Sequence, residues 1–208
     1  MDKDTGLPTL PDAKDAGRRI LAIVDPPYGI GQNWKKDINS KFRNHKSSYT
    51  NKNIPPPDYF KELFRVSENQ IIWGGNYYTD YLKPTNNWIV WDKQVDYEKH
   101  NRSECELAWT SFNIPARIIK TTWNGCVVKE KRYGFHPHEK PVRLYRWILE
   151  NYAQPGDLII DTHVGSASSL IACEQMGFDY IGWELDADYY DAAIKRMEKG
   201  IQGLLKLE

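Results

Sequence analysis

"DLIIDTHVGSASSLIACEQMGFDYIGWE", residues 157–184, has the pattern of a strand, a loop of small residues, a helix and a second strand. The runs "LIID" and "YIGWE" have the length of buried strands, and Gly177 follows "SLIACEQM" where a helix would end. Two strands joined by a helical crossover lie parallel in one sheet. The stretch therefore predicts an α/β fold with a doubly wound, mostly parallel, Rossmann-like sheet and helices on both faces.

A second apolar run, "ILAIVDPPYGIG" at residues 20–31, ends in a carboxylate and two prolines. It predicts another buried strand, which closes at Asp25. The first strand within residues 157–184 closes in the same way, at Asp161. Ligands of open α/β sheets bind outside the carboxyl ends of the strands, so we expect the two aspartates to face one cleft if their strands are neighbours.

The pattern predicts one domain over residues 19–208, after a loose polar leader over residues 1–18. "PDYFKELFRV" and "KPVRLYRWILENY" predict helices, and Asp186 is placed to cap a final helix. Further apolar runs predict strands at residues 69–75, 87–93 and 104–112.

Composition restricts the class of protein. The chain has 208 residues and a formal net charge of zero, which argues against a uniformly basic surface but leaves local basic patches open. Its three cysteines are scattered, without a CxxC pair, so we expect no disulfide framework and no metal site. The sequence contains neither a membrane-spanning run nor a signal-peptide core, and we expect a cytoplasmic protein that does not enter a membrane.

The loop after Asp161 predicts a ligand site at the start of a helix. Gly165 and Ser166 let a ligand approach the backbone, and Glu184, at the tip of the next strand, can accept both hydroxyls of a ribose. The loop lacks the GxGxxG pattern, and the Asp161 carboxylate would repel a pyrophosphate but attract an ammonium group. We therefore expect a nucleoside with an amino-acid tail. The alternative is a plain turn whose small residues serve packing alone.

The "DPPY" stretch predicts a site for an amino group. The Asp25 carboxylate and the Pro26 carbonyl are adjacent hydrogen-bond acceptors, which match the two hydrogens of an exocyclic amine. Pro27 keeps Pro26 extended, and Tyr28 supplies a flat face on which a base can stack. The alternative is a stiff turn that only ends the strand.

Together these motifs resemble those of the S-adenosylmethionine (SAM)-dependent DNA amino-methyltransferases, in particular the circularly permuted β group of adenine-N6 type. Asp25–Tyr28 resembles the family's DPPY catalytic motif, and "THVGSAS" resembles its FxGxG-type cofactor loop. Lys140 and Pro141 resemble the "KP" before the family's cofactor strand, and "IGWE" resembles its ribose strand. The catalytic motif precedes the cofactor motif, which is the order of the permuted group.

The resemblance implies methyl transfer from SAM to the N6 amine of an adenine flipped out of double-stranded DNA, with no metal. It implies catalytic roles for Asp25, Pro26, Pro27 and Tyr28. It implies cofactor-binding roles for Asp161, His163, Gly165, Ser166, Glu184, Lys140 and Pro141. DNA contacts are expected from two basic segments, residues 30–57 and 113–135, and in particular from Lys35, Lys36, Lys41, Arg43, Lys46, Lys131 and Arg132.

Departures from the family pattern keep other functions open. Thr162, His163 and Ala167 stand where the family usually has proline, phenylalanine and a second glycine, and alanine lacks glycine's freedom at positive φ. Cytosine N4 in DNA, or an amine in RNA, would be modified by the same chemistry. Another alternative is a catalytically weak DNA-binding subunit that assists a partner. The short basic segments suggest a short target site, loose specificity or help from a second subunit, which leaves a homodimer open.

Overall fold

The computed structural model describes residue 10 and residues 12–30, 53–94, 103–121 and 139–204. The strands are β1 (Ile20–Val24), β2 (Asn69–Trp73), β3 (Trp88–Asp92), β4 (Cys105–Thr110), β5 (Arg117–Lys120), β6 (Leu158–Asp161) and β7 (Asp179–Gly182). The α-helices are α1 (Pro57–Val66), α2 (Val142–Tyr152), α3 (Ser168–Met176) and α4 (Ala187–Leu204), and short 3-10 helices cover Ala13–Asp15 and Gly75–Tyr77. None of the helices in these ranges is long and apolar enough to span a membrane.

The strands of the described residues form one sheet in the order β5-β3-β4-β2-β1-β6-β7. The central strand β1 pairs in parallel with β2 on one side and with β6 on the other, and β6 pairs in parallel with β7. The strands β3 and β5 are also parallel, whereas β4 runs antiparallel to both β2 and β3. The predicted doubly wound, mostly parallel sheet is confirmed.

Helices cover both faces of the sheet, as predicted. Alternate residues of β1 point to opposite faces: Leu21 and Ile23 pack in the cluster that contains α2 and α3. Ile20, Ala22 and Val24 pack in the cluster that contains α1. All of β1 is buried, which explains why the strand reads as a continuous apolar run rather than an alternating one.

The helix ends follow the signals in the sequence. Pro57 is the first residue of α1, where its missing N–H leaves no helical hydrogen bond unmade. The helix α3 ends at Gly177, which has a φ of 72°. The Asp186 carboxylate accepts hydrogen bonds from the backbone N–H groups of Asp188 (3.0 Å) and Tyr189 (3.1 Å), which confirms the predicted cap of α4.

An ion pair joins the chain at the amino-terminal ends of β1 and β6. Arg19 donates from Nε to Asp157 Oδ1 at 2.8 Å and from a terminal nitrogen to Oδ2. The Asp157 side chain is buried and that of Arg19 is mostly buried. Because β1 and β6 are parallel, this pair lies at the edge of the sheet opposite to Asp25 and Asp161.

Candidate active site

Asp25 and Asp161 lie at the same edge of the sheet. The strands β1 and β6 are parallel neighbours, with Ala22 opposite Ile160, so the chain leaves both strands on one side. This is the carboxyl edge, where open α/β sheets bind ligands. The pairing brings together the two loops that the sequence predicts to share one cleft.

The Asp25 carboxylate accepts hydrogen bonds on both oxygens. Tyr28 donates its hydroxyl to Oδ1 at 2.6 Å, and Lys140 donates from Nζ to Oδ2. Lys140 also donates to the Tyr28 hydroxyl oxygen, at 3.2 Å. A donor on each oxygen holds the carboxylate in one orientation.

Lys140 and Pro141, both predicted from the sequence to bind cofactor, lie just before α2. The Lys140 ammonium group lies against Asp25, the first residue of the DPPY stretch, and Pro141 is the N-cap residue of α2. A cofactor contact by either residue stays a prediction.

Glu106 on β4 is a residue of the site that was not identified from the sequence. Its Oε1 lies 2.7 Å from Lys93 Nζ, and its Oε2 lies 3.1 Å from Lys140 Nζ. Burial raises the pKa of Glu106, but the two ammonium groups outweigh burial and bring this pKa to about 2. Burial likewise lowers the pKa of Lys140, but Asp25 and Glu106 bring it above its ordinary value. At neutral pH Glu106 is therefore a carboxylate and Lys140 an ammonium group.

The Pro26 carbonyl, the second predicted acceptor, is held by Tyr78. The Tyr78 hydroxyl lies 2.8 Å from the Pro26 carbonyl oxygen and 2.9 Å from that of Pro27. The Tyr78 side chain is buried, so the hydroxyl is a fixed donor to this turn.

Tyr78 follows the Gly74–Gly75 pair, and a Cβ on Gly74 would lie only 2.3 Å from Cε1 of Tyr28. Glycine is needed there for the close approach of the two segments.

Tyr28 presents its ring beside the two acceptors. The ring stacks on that of Tyr77 at a centroid distance of 5.1 Å and an interplanar angle of 15°. Burial, and then the charges of Asp25 and Glu106, raise the pKa of the Tyr28 hydroxyl well above its ordinary value. The hydroxyl therefore remains a neutral donor to Asp25 at physiological pH.

Asp161 is buried at the head of the loop after β6. Its Oδ1 accepts the backbone N–H of His163 at 3.0 Å, and its Oδ2 accepts the Ser169 hydroxyl. Burial raises the pKa of Asp161 to about 7, although these hydrogen bonds oppose the rise. The carboxyl group therefore changes its protonation state near neutral pH.

Glu184, Gly165 and Ser166 come together beside this loop. The Glu184 carboxylate accepts the backbone N–H of Gly165 at 2.8 Å and that of Asp186 at 2.9 Å. Ser166 is buried and its hydroxyl lies 3.1 Å from that of Ser168. Ala167, between the two serines, has a φ of 61° and is the N-cap residue of α3. Ala167, which stands where the family has a second glycine, thus adopts the positive φ that glycine favours.

His163 is connected to α1 through Thr162. His163 Nδ1 lies 2.9 Å from Thr162 Oγ1, which lies 2.7 Å from the Tyr59 hydroxyl. Burial lowers the pKa of His163 to about 4, so the imidazole is neutral at physiological pH. Over the described ranges, no group of three or more His, Cys, Asp and Glu side chains is arranged to hold a metal ion.

The residues predicted to contact DNA lie outside the described residues. They are Lys35, Lys36, Lys41, Arg43, Lys46, Lys131 and Arg132. Of the basic residues in the second segment, Arg117 and Lys120 are exposed on β5, the edge strand of the described sheet. Arg117 donates to Asn151 on α2 at 2.7 Å.

The chain is similar in sequence to known DNA methylases. The N6/N4 methyltransferase family model, described as "DNA methylase", matches residues 34–195, which include the loop after β6 and Glu184 and begin after Tyr28. The type II methyltransferase M2.LlaDCHI of Lactococcus lactis subsp. cremoris is 29% identical over 122 residues, which are 58% of this chain and 45% of that protein. The DNA adenine methyltransferase YhdJ of Escherichia coli (strain K12) is 23% identical over 86% of this chain and 76% of its own length.

Solved structures show the same fold. The crystal structure of an M1.HpyAVI–SAM complex superimposes with a TM-score of 0.55 and 18% sequence identity. The match covers 86% of this chain and 89% of that one.

Proposed function

The chain belongs to the N6/N4 family of DNA methylases, and we propose that it transfers a methyl group from SAM to the N6 amine of adenine in double-stranded DNA. The observation that carries the proposal is the pair of acceptors at the end of β1. Asp25 and the Pro26 carbonyl are each held by buried or half-buried donors of the chain's own. The site is therefore organised before a substrate enters.

The two acceptors have a chemical task. The lone pair of an exocyclic amine is delocalised into the base, which makes the nitrogen a poor nucleophile. Hydrogen bonds from its two hydrogens to Asp25 and to the Pro26 carbonyl would localise that lone pair. These hydrogen bonds strengthen as positive charge develops on nitrogen, so they act mainly in the transition state. Lys140 and the Tyr28 hydroxyl would give up part of their contact with Asp25 to the amine.

Tyr28 would hold the target base beside these acceptors. A base inside a duplex cannot reach the end of β1, so the target nucleotide must leave the stack. Base stacking on an aromatic ring is worth about 1–3 kcal/mol, which offsets part of the cost of unstacking. Tyr28 lies three residues after Asp25 in the chain and is fixed by a hydrogen bond to it, so a stacked base would have its amine near the carboxylate.

The loop after β6 has the chemistry that SAM requires. SAM supplies an electrophilic methyl group on a sulfonium sulfur. Each oxygen of Glu184 accepts one backbone N–H, and a carboxylate oxygen has a second lone pair, which leaves acceptors for both ribose hydroxyls. Asp161 supplies a carboxyl group for the ammonium of the amino-acid tail. Gly165 and Ala167 keep side-chain bulk away from the turn, and His163 offers a neutral ring.

Adenine is the proposed target because the first position of the catalytic motif is aspartate. The resemblance associates this residue with adenine N6, and serine more often with cytosine N4. YhdJ, whose name states adenine specificity, aligns with most of this chain. Double-stranded DNA is the proposed partner, contacted by the basic segments.

The test is methyl transfer from SAM labelled in the methyl group to unmethylated duplex DNA, followed by nucleoside analysis. We expect N6-methyladenine from the wild-type protein and a loss of at least roughly 100-fold in Asp25→Ala. Asp92→Ala is the matched control, because Asp92 also ends a strand of the sheet but lies on β3. Binding of SAM, measured by calorimetry, should be retained in both variants.

Each other outcome has a definite meaning. N4-methylcytosine would overturn the choice of base and keep the mechanism. Binding of SAM without transfer to DNA or RNA would overturn the proposed activity and favour a binding subunit. Equal activity in Asp25→Ala and the wild type would overturn the role of the carboxylate.

A further inference from the structure

Arg196 on α4 donates hydrogen bonds to Ser166 and Ser168, in the turn over residues 165–168 that begins α3. One terminal nitrogen, Nη1, donates to the Ser166 carbonyl oxygen at 2.6 Å and to the Ser168 hydroxyl oxygen at 2.9 Å. Ala167 lies between these two serines in the chain. The Arg196 side chain is buried, with 6% of its surface exposed, so the contacts are made away from bulk water.

Ala167 adopts a conformation that a residue with a side chain avoids. Its φ of 61° and ψ of 21° lie in the left-handed region, where glycine is favoured. Its methyl group is fully buried, in a cluster with Val164, Leu170 and Ala193. A strained residue of this kind persists only where its surroundings hold it in place. Arg196 lies one turn after Ala193 on α4 and supplies hydrogen bonds that do so.

Glu139 compensates the charge of Arg196 in the interior. Arg196 Nη2 lies 3.2 Å from Glu139 Oε1, and only 1% of the Glu139 side chain is exposed. A buried guanidinium group with a carboxylate partner can donate to neutral acceptors without remaining an uncompensated charge. None of these three contacts is used by the proposed methyl transfer.

We propose that Arg196 is a positioning residue that holds the Gly165–Ser168 turn in the conformation that binds SAM. The inference rests on the proposed function, because it assigns the turn to SAM. The turn carries the Gly165 N–H that orients Glu184, at 2.8 Å, so movement of the turn would also release the predicted ribose acceptor. Arg196 thus acts on the cofactor through the turn.

The test is a double-mutant cycle between Arg196→Lys and Ala167→Gly, read by the dissociation constant of SAM in calorimetry. Lysine keeps the positive charge opposite Glu139, but one ammonium group cannot reproduce the planar fork of the guanidinium group. With Ala167 present, we expect Arg196→Lys to weaken SAM binding by about tenfold. In the Ala167→Gly background we expect a loss of less than about threefold, because glycine adopts the turn without external support.

Arg19→Lys is the matched control, because Arg19 also makes a largely buried ion pair but at the opposite edge of the sheet. It should leave the dissociation constant of SAM within about twofold of the wild type. An equal loss for Arg196→Lys in both backgrounds, or an equal loss in Arg19→Lys, would overturn the proposal.

A second readout separates this proposal from the proposed function. The same cycle is measured on urea unfolding of the protein without SAM. If the effects of Arg196→Lys and Ala167→Gly on the free energy of unfolding are coupled, Arg196 stabilises the turn as proposed. If the two effects are additive, the proposal is overturned. If the wild-type protein fails to bind SAM, the proposed function fails, and the unfolding cycle still decides whether Arg196 holds the turn.

Discussion

The Asp161 carboxyl group makes the stability of the folded protein depend on pH. Burial raises its pKa from the ordinary 3.8 to about 7, so the folded protein binds this proton more tightly than the unfolded chain. A raised pKa in the folded state means that the contribution to stability is fully present below about pH 3.8 and is lost as the pH rises through about 7. Binding of a cationic ammonium group needs the opposite, ionised form. We therefore expect stability and SAM affinity to respond to pH in opposite directions at this residue.

We predict that SAM binds more tightly as the pH rises from about 6 to about 7, by about fivefold in the dissociation constant, below the pH at which its own α-amino group, with an ordinary pKa of about 7.7–8.0, loses its proton. The reason is that the ionised fraction of Asp161 increases over this range, whereas His163, whose pKa is about 4, stays neutral throughout. Calorimetric titrations at several pH values measure the slope. Asp161→Asn should bind more weakly and lose the slope. A slope that persists in Asp161→Asn belongs to another group and contradicts the assignment.

At the residue scale, the sequence predicts which residues end the strands, but it does not predict which distant side chains form hydrogen bonds or ion pairs with them. Asp25, Asp161 and Glu184 could be predicted because each follows an apolar run. Glu106 could not, because one carboxylate in the run "ECELAWTSF" has the same pattern whether it faces solvent or a buried lysine. The contact of Lys140 with Asp25 joins residues that are 115 positions apart in the chain, and local apolar patterns do not predict such a contact.

Gly74 and Gly177 have nearly the same backbone conformation in different surroundings. Their φ values are 70° and 72°. Gly177 ends α3, and a Cβ there would meet no atom within 4 Å. Gly74 lies between β2 and the 3-10 helix at Gly75–Tyr77, and a Cβ there would overlap the ring of Tyr28. Alanine at either position carries the same backbone strain, and only at Gly74 does it add a steric overlap.

We predict that Gly74→Ala destabilises the protein by about 3 kcal/mol and Gly177→Ala by about 1 kcal/mol, as measured by urea unfolding. Gly74→Ala should also reduce methyl transfer per folded molecule by at least about tenfold, because Tyr28 must move away from Asp25. Gly177→Ala should leave transfer unchanged. Equal effects of the two substitutions on transfer would show that the close approach of Gly74 to Tyr28 has no part in catalysis.

At the element scale, the sequence predicts which segments are strands and helices better than it predicts their directions. The runs at residues 69–75, 87–93 and 104–112 all contain the observed strands β2, β3 and β4. Apolar periodicity is the same for a strand in either direction, so the pattern does not predict that β4 is antiparallel to its neighbours. The neighbouring positions of β1 and β6 likewise join residues far apart in the chain.

At the scale of the whole sheet, the carboxyl ends and the amino ends of the parallel strands carry different groups of buried side chains. The carboxyl edge carries Asp25, Asp161 and Glu184, where buried charges and a residue with positive φ are held by hydrogen bonds. The amino edge carries the Arg19–Asp157 pair, which joins the starts of β1 and β6. Asp157 also accepts the backbone N–H of Gln154 at 2.7 Å, so it fixes the turn between α2 and β6. This separation is possible because the parallel strands β2, β1, β6 and β7 all have their carboxyl ends at the same side of the sheet.

We predict that Asp157→Asn lowers the free energy of unfolding by about 2–3 kcal/mol at neutral pH, because it leaves Arg19 without its charged partner in a largely buried position. The same variant should bind SAM and transfer methyl groups as the wild type does, per folded molecule. Asp25→Ala should show the reverse, with transfer lost and unfolding changed less. Urea unfolding, calorimetry and the transfer assay on both variants measure this separation. Weaker SAM binding by fully folded Asp157→Asn would show that the amino edge is coupled to the site through β1 and β6.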